Sequence, residues 1–368
     1  MDLAQKPMPA RITAMPQTLF WLLTVVILVS GALPRVFDLG GPSYWTDEVL
    51  AYFRASGPLL DVIDNLLKAG NQGPVYYMLM RLLPHETEFW MRLPSALLGL
   101  AGIALLIVFV RDLYGRADYA LWAGALLATN PYHVWLSRTA RAYALLFVLV
   151  LIVLYLTMRL ARGDQTRRTW VAFTVFSALA YLTHYAAGGL AVAQMVLFGV
   201  FLRQNRAFWV RWFAAQTVAT IPFALWVLGI ITTFEATHPG TSPVPGLADL
   251  PLTFWNLGVG YAGDFTPFII PALIAVSVGL IAGAVFAIRQ TDWIDRHWLA
   301  LIIVSLVPVF VISFAATGVY LDRYFIVFLP AVILLLIRGG YALSPQIAPL
   351  LLGVVLVSGG GLMITSFA

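Results

Sequence analysis

Residues 89–111 read FWMRLPSALLGLAGIALLIVFVR, with no charged side chain between Arg92 and Arg111. A run of this kind matches the roughly 20 apolar residues that carry a helix across a bilayer core about 30 Å thick. The flanks agree: Trp90 is an interfacial aromatic, Pro94 is tolerated in a first turn, and Arg111 closes the run at a short connector. Ten further stretches meet or approach the same length, at 18–36, 118–134, 139–160, 168–184, 186–203, 208–232, 267–288, 298–317, 321–337 and 346–366. The sequence therefore predicts an all-α integral membrane protein with about eleven transmembrane helices, built as a single polytopic domain over residues 1–368 with no separate soluble domain.

Composition supports this. Hydrophobic residues make up 61% of the chain and charged residues 11%, whereas soluble domains run near 45–50% and about 25%. The net charge of +5 is spread between apolar runs instead of being gathered on one segment, so the predicted partner is the lipid bilayer and not nucleic acid. With no cysteine, disulfides, thiolate catalysis and cysteine metal sites are excluded. The polar N-terminus lacks an obvious cleavage site, so residues 18–36 are expected to be a retained first span.

Charge sets the expected orientation, because Lys and Arg in short loops stay on the cytoplasmic side. With the N-terminus cytoplasmic, the inner loops hold 14 of the 22 Lys and Arg, and the outer side holds 11 of the 17 Asp and Glu. The apolar segment Pro74 to Leu83 is too short to cross and reads as an interfacial or re-entrant helix; if it crossed, every later loop would invert. Two outer loops are then long: 37–88, expected to carry short interfacial helices, and 233–266, rich in Pro and Gly and expected to act as a mobile cover.

The first of these loops contains Trp45-Thr46-Asp47-Glu48, where Thr46 is a good N-cap that places both acids in the first turn of a short helix. The helix dipole alone favours acids there. Two adjacent carboxylates just beyond a span also stand where a lipid-linked substrate presents its head group. Asn71-Gln72-Gly73-Pro74 leads into Tyr76 and Tyr77, and Glu88 with Arg92, at i and i+4, is accounted for as a helix pair. Arg138 and Arg141, three residues apart, share an expected helix face on the side where basic residues are disfavoured. Guanidinium groups bind phosphate in a bidentate manner, which gives those positions a purpose beyond snorkelling. Tyr143 follows them, His184-Tyr185 ends the fifth span, and Asp322-Arg323-Tyr324 opens the tenth. All these ionisable groups reach one membrane face.

In that order, Asp47-Glu48, Gln72-Gly73-Pro74 with Tyr76-Tyr77, Arg92-Leu93-Pro94-Ser95-Ala96, Ala140-Arg141-Ala142-Tyr143, His184-Tyr185 and Arg323-Tyr324 resemble the landmarks of the polytopic glycosyltransferases of the C-type fold, specifically the dolichyl-phosphate-mannose protein mannosyltransferase and aminoarabinose transferase group. The resemblance implies a plasma-membrane enzyme, a hexosyl- or pentosyltransferase, that takes a sugar from a polyprenyl-phosphate donor and passes it with inversion to a lipid, glycan or protein acceptor outside the cytoplasm. By the same resemblance Asp47 is the base with Glu48 beside it, and Arg141, Arg138, Tyr143, His184, Tyr185, Arg323, Tyr324, Arg92, Glu88, Gln72 and Tyr76 bind substrate. Two departures stand out. Gln72-Gly73-Pro74 replaces the His-Pro-Pro frequent at that place, and the large outer domain of several relatives is not expected. No cofactor is implied; Asp47, Glu48 and His184 are compatible with a divalent metal, but no ligand spacing shows one. The competing reading is a transporter or flippase of lipid-linked sugars, which favours broken helices near the midplane over ionisable residues at span ends.

Overall fold

The computed structural model describes residues 15–69, 73–83, 87–233, 244–261, 267–290, 292–314 and 320–367, and among these it is helical with no strand. The helices in chain order are α1 (Gln17–Val36), α2 (Thr46–Ala55), α3 (Leu59–Ala69), α4 (Pro74–Arg81), α5 (Glu88–Tyr114), α6 (Ala117–Ala128), α7 (Pro131–Ser137), α8 (Tyr143–Ala161), α9 (Arg167–Thr183), α10 (Gly188–Val196), α11 (Arg206–Thr233), α12 (Asp249–Val259), α13 (Ile269–Arg289), α14 (Trp293–Ile312), α15 (Leu329–Leu343) and α16 (Ile347–Phe367). A 3₁₀ turn at 185–187 leads into α10, a π turn at 197–201 ends it, and a 3₁₀ segment over Asp322–Phe328 leads into α15. Seven helices are long and apolar enough to cross a bilayer: α1, α5, α8, α11, α13, α14 and the continuous Asp322–Leu343. The segments 185–201 and 347–363 are shorter apolar helices.

The expected span at 118–134 is interrupted. Thr129 and Asn130 leave the helix, Asn130 caps α7 by accepting from the His133 backbone N–H at 2.8 Å, and Pro131 takes the first helical position where its missing N–H costs nothing. The break is secured by Arg35 at the end of α1, which is fully buried and donates to Leu127 O and Ala128 O at the C-terminus of α6, where a cation meets the helix dipole, and to His133 Nδ1 at 2.8 Å.

The core runs along α8 and α15, whose side chains are buried nearly all round, with α5 and α9 packed on α8, α13, α14 and α16 on α15, and α6 against α5 and α1. Where hydrophobicity gives no preference for protein over lipid, small residues let helices approach. A Cβ on Gly339 of α15 would lie 1.9 Å from Gly279 O of α13, so these two backbones touch. Polar glue joins α8 to α11: Gln194 donates to Thr157 Oγ1 at 3.1 Å and its Oε1 accepts from Gln216 at 2.8 Å, while Tyr181 donates to Gln216 at 2.8 Å. Leu33, Val210, Leu225, Ile231, Ile281 and Leu350 point outward and exposed, as lipid-facing side chains do.

In the first long loop α2, α3 and α4 are the short helices that the sequence predicts, and eight-residue α4 is too short to cross. The second long loop, expected to be a mobile cover, contains the eleven-residue helix α12, which packs on α7 and α13. Residues 234–243 and 262–266 of that loop, and Lys6 and Arg11, lie outside the described residues.

Candidate active site

The chain enters α2 through Trp45, which is extended (φ −87°, ψ 165°) and occupies the N-cap position. Thr46 is therefore the first helical residue and not the cap, and the Trp45 side chain makes no capping bond. Asp47 and Glu48 fall in the first turn as expected. Successive residues on a helix diverge by about 100°, so the two carboxylates leave in different directions.

Glu48 turns inward. It is fully buried and binds Arg92 of α5 through both oxygens, at 2.9 and 2.6 Å, and Oε1 also accepts from the Ala140 backbone N–H at 2.8 Å. The expected Glu88–Arg92 helix pair does not form, because a buried partner with matched fork geometry outcompetes a half-buried one on the same helix. Arg92 spends its remaining donors on Leu39 O, Pro42 O and Ser43 O, fixing the approach to α2. One carboxylate thus locks α2, α5 and the 139–142 segment together.

Asp47 turns the other way and stays partly exposed. Its Oδ2 is 3.0 Å from Arg323 Nη1 and 3.8 Å from Arg141 Nη2, yet it receives no aligned hydrogen bond. Arg141 also donates to the Asp47 backbone carbonyl at 3.3 Å and to Tyr77 at 3.4 Å, and Ser95 of α5 holds its own carbonyl. Burial works to lower the Arg141 pKa, but the surrounding Tyr77, Tyr143 and Asp47 outweigh it and raise the value. Around these charges Arg141 Nε, Arg323 Nε, the Tyr143 hydroxyl, His184 Nε2 and Trp45 Nε1 are buried without hydrogen-bond partners. His184 caps α9, accepts at Nδ1 from Ala186 N, and lies 4.6 Å from the Tyr324 ring and 4.5 Å from the Tyr185 ring, centre to centre.

Asp47, Arg141, Tyr143, His184, Tyr185, Arg323 and Tyr324 are thus brought together. Others are not. Arg138 does not share a helix face with Arg141, because α7 ends at Ser137; it donates instead to Pro34 O and Phe37 O, both at 2.6 Å, and so ties the end of α1. Tyr76 is buried against Ser95 at 3.1 Å, and the tyrosine that reaches Arg141 is its neighbour Tyr77. Gln72 lies outside the described residues. Beside it, Gly73 is a close approach: a Cβ there would sit 1.8 Å from Leu182 O, so α4 begins directly against the end of α9.

Sequence reasoning passed over an aromatic wall and its anchor. The Trp45 ring lies 5.7 Å from Trp135, which lies 4.7 Å from Tyr261, and the Arg323 guanidinium is 5.8 Å from the Trp45 ring. Asp322 holds this wall by accepting from Tyr261 at 2.9 Å, from the Asn256 amide and from its neighbour Arg323 N at 2.7 Å. Burial, then the Asp322 carboxylate, push the Tyr261 pKa up and keep that hydroxyl a donor. The adjacency of Asp322 to Arg323 was the available signal. Among the described residues no three of His, Asp and Glu cluster to hold a metal ion.

Residues 72–230 match the family model described as dolichyl-phosphate-mannose-protein mannosyltransferase. No curated protein matches the sequence. Among solved structures, the crystal structure of ArnT from Cupriavidus metallidurans bound to undecaprenyl phosphate is similar over 90% of this chain and 61% of that one, at 18% identity and a TM-score of 0.56. The oligosaccharyltransferase of Archaeoglobus fulgidus is similar over 94% of this chain and 55% of its own, at 13% identity and a TM-score of 0.58. The arabinosyltransferase EmbB of Mycobacterium smegmatis is similar over 92% and 32%, at 14% identity and 0.55. The chain has the C-type fold of the polytopic membrane glycosyltransferases. It spans about three fifths of the length of the ArnT it matches.

Proposed function

We propose that this chain is a polyprenyl-phosphate-sugar-dependent glycosyltransferase, a hexosyl- or pentosyltransferase acting with inversion on the extracytoplasmic face of the plasma membrane. The observation that carries this reading is the Asp47 carboxylate opposite Arg141 and Arg323, ringed by buried polar atoms that lack partners. A buried polar group left unpaired costs roughly 1–3 kcal/mol. Several beside one pair of guanidinium groups are what a site shaped for an anionic ligand presents. ArnT, of the same fold, has been solved with undecaprenyl phosphate bound. The bias of basic residues to the far end supports a cytoplasmic N-terminus and an outward-facing site.

In this mechanism the carrier phosphate displaces Asp47 from the two guanidinium groups. An acceptor hydroxyl or amine then attacks the anomeric carbon from the face opposite the phosphate. The new glycosidic bond forms, the bond from the anomeric carbon to the phosphate oxygen breaks, and its electron pair leaves with the polyprenyl phosphate. The acceptor proton goes to Asp47. Arg141 and Arg323 offset the charge that grows on the leaving phosphate in a site of low dielectric. Glu48 and Arg92 act as positioning residues, and His184 with Tyr143 offers hydrogen bonds to the phosphate or sugar. The rings of Trp45, Trp135 and Tyr261 give the sugar or acceptor an apolar wall.

The test is reconstitution of the purified chain in liposomes with radiolabelled polyprenyl-phosphate sugars and a panel of lipid, glycan and peptide acceptors. Release of free polyprenyl phosphate with label on the acceptor is the expected result. Label that crosses the bilayer still attached to its carrier would instead identify a flippase.

A further inference from the structure

At the other end of the bundle, helices α9 and α11 enclose a groove of about 700 Å³. Its lining climbs α9 through Arg167, Trp170, Val171 and Val175 while climbing α11 through Arg211, Ala214 and Val218, so the two helices run the same way; α9 begins at the mouth, and α11 joins it at Arg211, past its first turn. Seventeen residues of α9, roughly 25 Å of helix, separate this mouth from His184. The groove is therefore a different place from the cluster of Asp47, Arg141 and Arg323.

Two features give it a charge preference. First, α9 points its positive dipole end at the mouth, and its first turn holds no acid but begins Arg167-Arg168. Second, neither Arg167 nor Arg211 has an acidic partner among the described residues, and the nearby acid Asp164 is ion-paired with Arg159. The indole Nε1 of Trp170, a lining residue, is buried without a partner. Beyond this cationic mouth the walls are apolar, formed by Val171, Val175, Ala215 and Val218. An anionic head with an aliphatic tail matches both halves, whereas a soluble phosphate leaves the apolar half unfilled.

We propose that the α9–α11 groove binds an anionic phospholipid of the surrounding bilayer, with its phosphate between Arg167 and Arg211 and an acyl chain along Val171, Val175 and Val218. Bound there, the lipid neutralises the dipole end of α9 and the Arg167 and Arg211 charges, and covers the apolar walls beside the close contact of α9 with α11.

The experiment is native mass spectrometry of the full chain, delipidated in detergent and titrated with phosphatidylglycerol or phosphatidylcholine of the same acyl chains. Two variants are read beside the wild type: Arg167→Gln with Arg211→Gln, which removes the mouth charges, and Ala214→Trp, which fills the groove and keeps them. Arg289→Gln, a basic residue outside the groove, serves as the control. Phosphatidylglycerol is expected to be retained by the wild type and the control, and to bind roughly tenfold or more weakly to both groove variants. Equal retention of the two lipids, retention of phosphatidylglycerol by both groove variants, or loss on removing the arginines but not on filling the groove would each overturn the proposal.

Discussion

Asp47 and Arg323, from the first and last stretches of the chain, meet at 3.0 Å, although neither directs an aligned hydrogen bond at the other. An ion pair built for stability alone would close into a bidentate geometry, as Glu48 and Arg92 do in the adjoining turn. The contrast between the two pairs separates a strut from a site.

The guanidinium groups should be read first by binding. Arg323→Gln is expected to weaken the affinity for polyprenyl phosphate about 10- to 100-fold, the loss of one charge-assisted contact, with little change in thermal unfolding because the side chain is only partly buried. Arg141→Gln is expected to lose binding and also stability, since Arg141 is 4% exposed and supports Asp47 and Tyr77. Equilibrium binding of a labelled polyprenyl phosphate, with melting in detergent, checks both. Unchanged affinity in either variant speaks against a phosphate site.

The buried strut behaves differently. Arg92→Leu leaves Glu48 buried and unpaired and should cost about 3–5 kcal/mol, whereas Arg92→Leu combined with Glu48→Leu should recover a large part of it. Denaturation of the single and double variants measures this. Additive losses would mean that the two residues do not act as a pair.

Gly73 holds α4 against α9 at the closest approach in this region. Gly73→Ala places a methyl group on backbone atoms of Leu182 and Thr183 and should destabilise the protein by about 1–3 kcal/mol. Turnover should fall with it, because the displaced helix end carries His184. Melting and activity of the same preparation provide the check, and a silent substitution would show that the two ends are free to separate.

Asp322 joins the second long loop to Arg323. Asp322→Ala releases Tyr261, Asn256 and the Arg323 backbone together, so kcat is expected to drop about tenfold or more, the size of effect seen when a group holding reacting parts in place is lost. Asp322→Asn, which keeps an acceptor, should restore part of it. Full activity in the alanine variant would detach the loop from the site.

Much of this was legible in the sequence, for physical reasons. Long apolar runs such as 89–111 appear as helices within a few residues of their expected limits, since lipid leaves the backbone no alternative to internal hydrogen bonding. The convergence of Asp47, Arg141, His184 and Arg323 was foreseeable because all four end up at one end of neighbouring spans. Pairing was not. Whether Arg92 chooses Glu88 or Glu48, which tyrosine of Tyr76 and Tyr77 meets Arg141, and that Arg138 turns to the end of α1 depend on tertiary packing, to which local spacing is blind. The interruption at Thr129 and Asn130 was written in Asn130-Pro131, but the hydrophobic average over 118–134 conceals it.

Asp47 is proposed to take the acceptor's proton. The most direct measurement compares wild type and Asp47→Asn for donor binding and for single-turnover transfer from a radiolabelled polyprenyl-phosphate sugar. Asparagine keeps the shape and removes the base, so donor binding should persist while the transfer rate falls about 10²- to 10⁴-fold. Transfer at the wild-type rate by a folded, donor-binding Asp47→Asn protein would contradict the account.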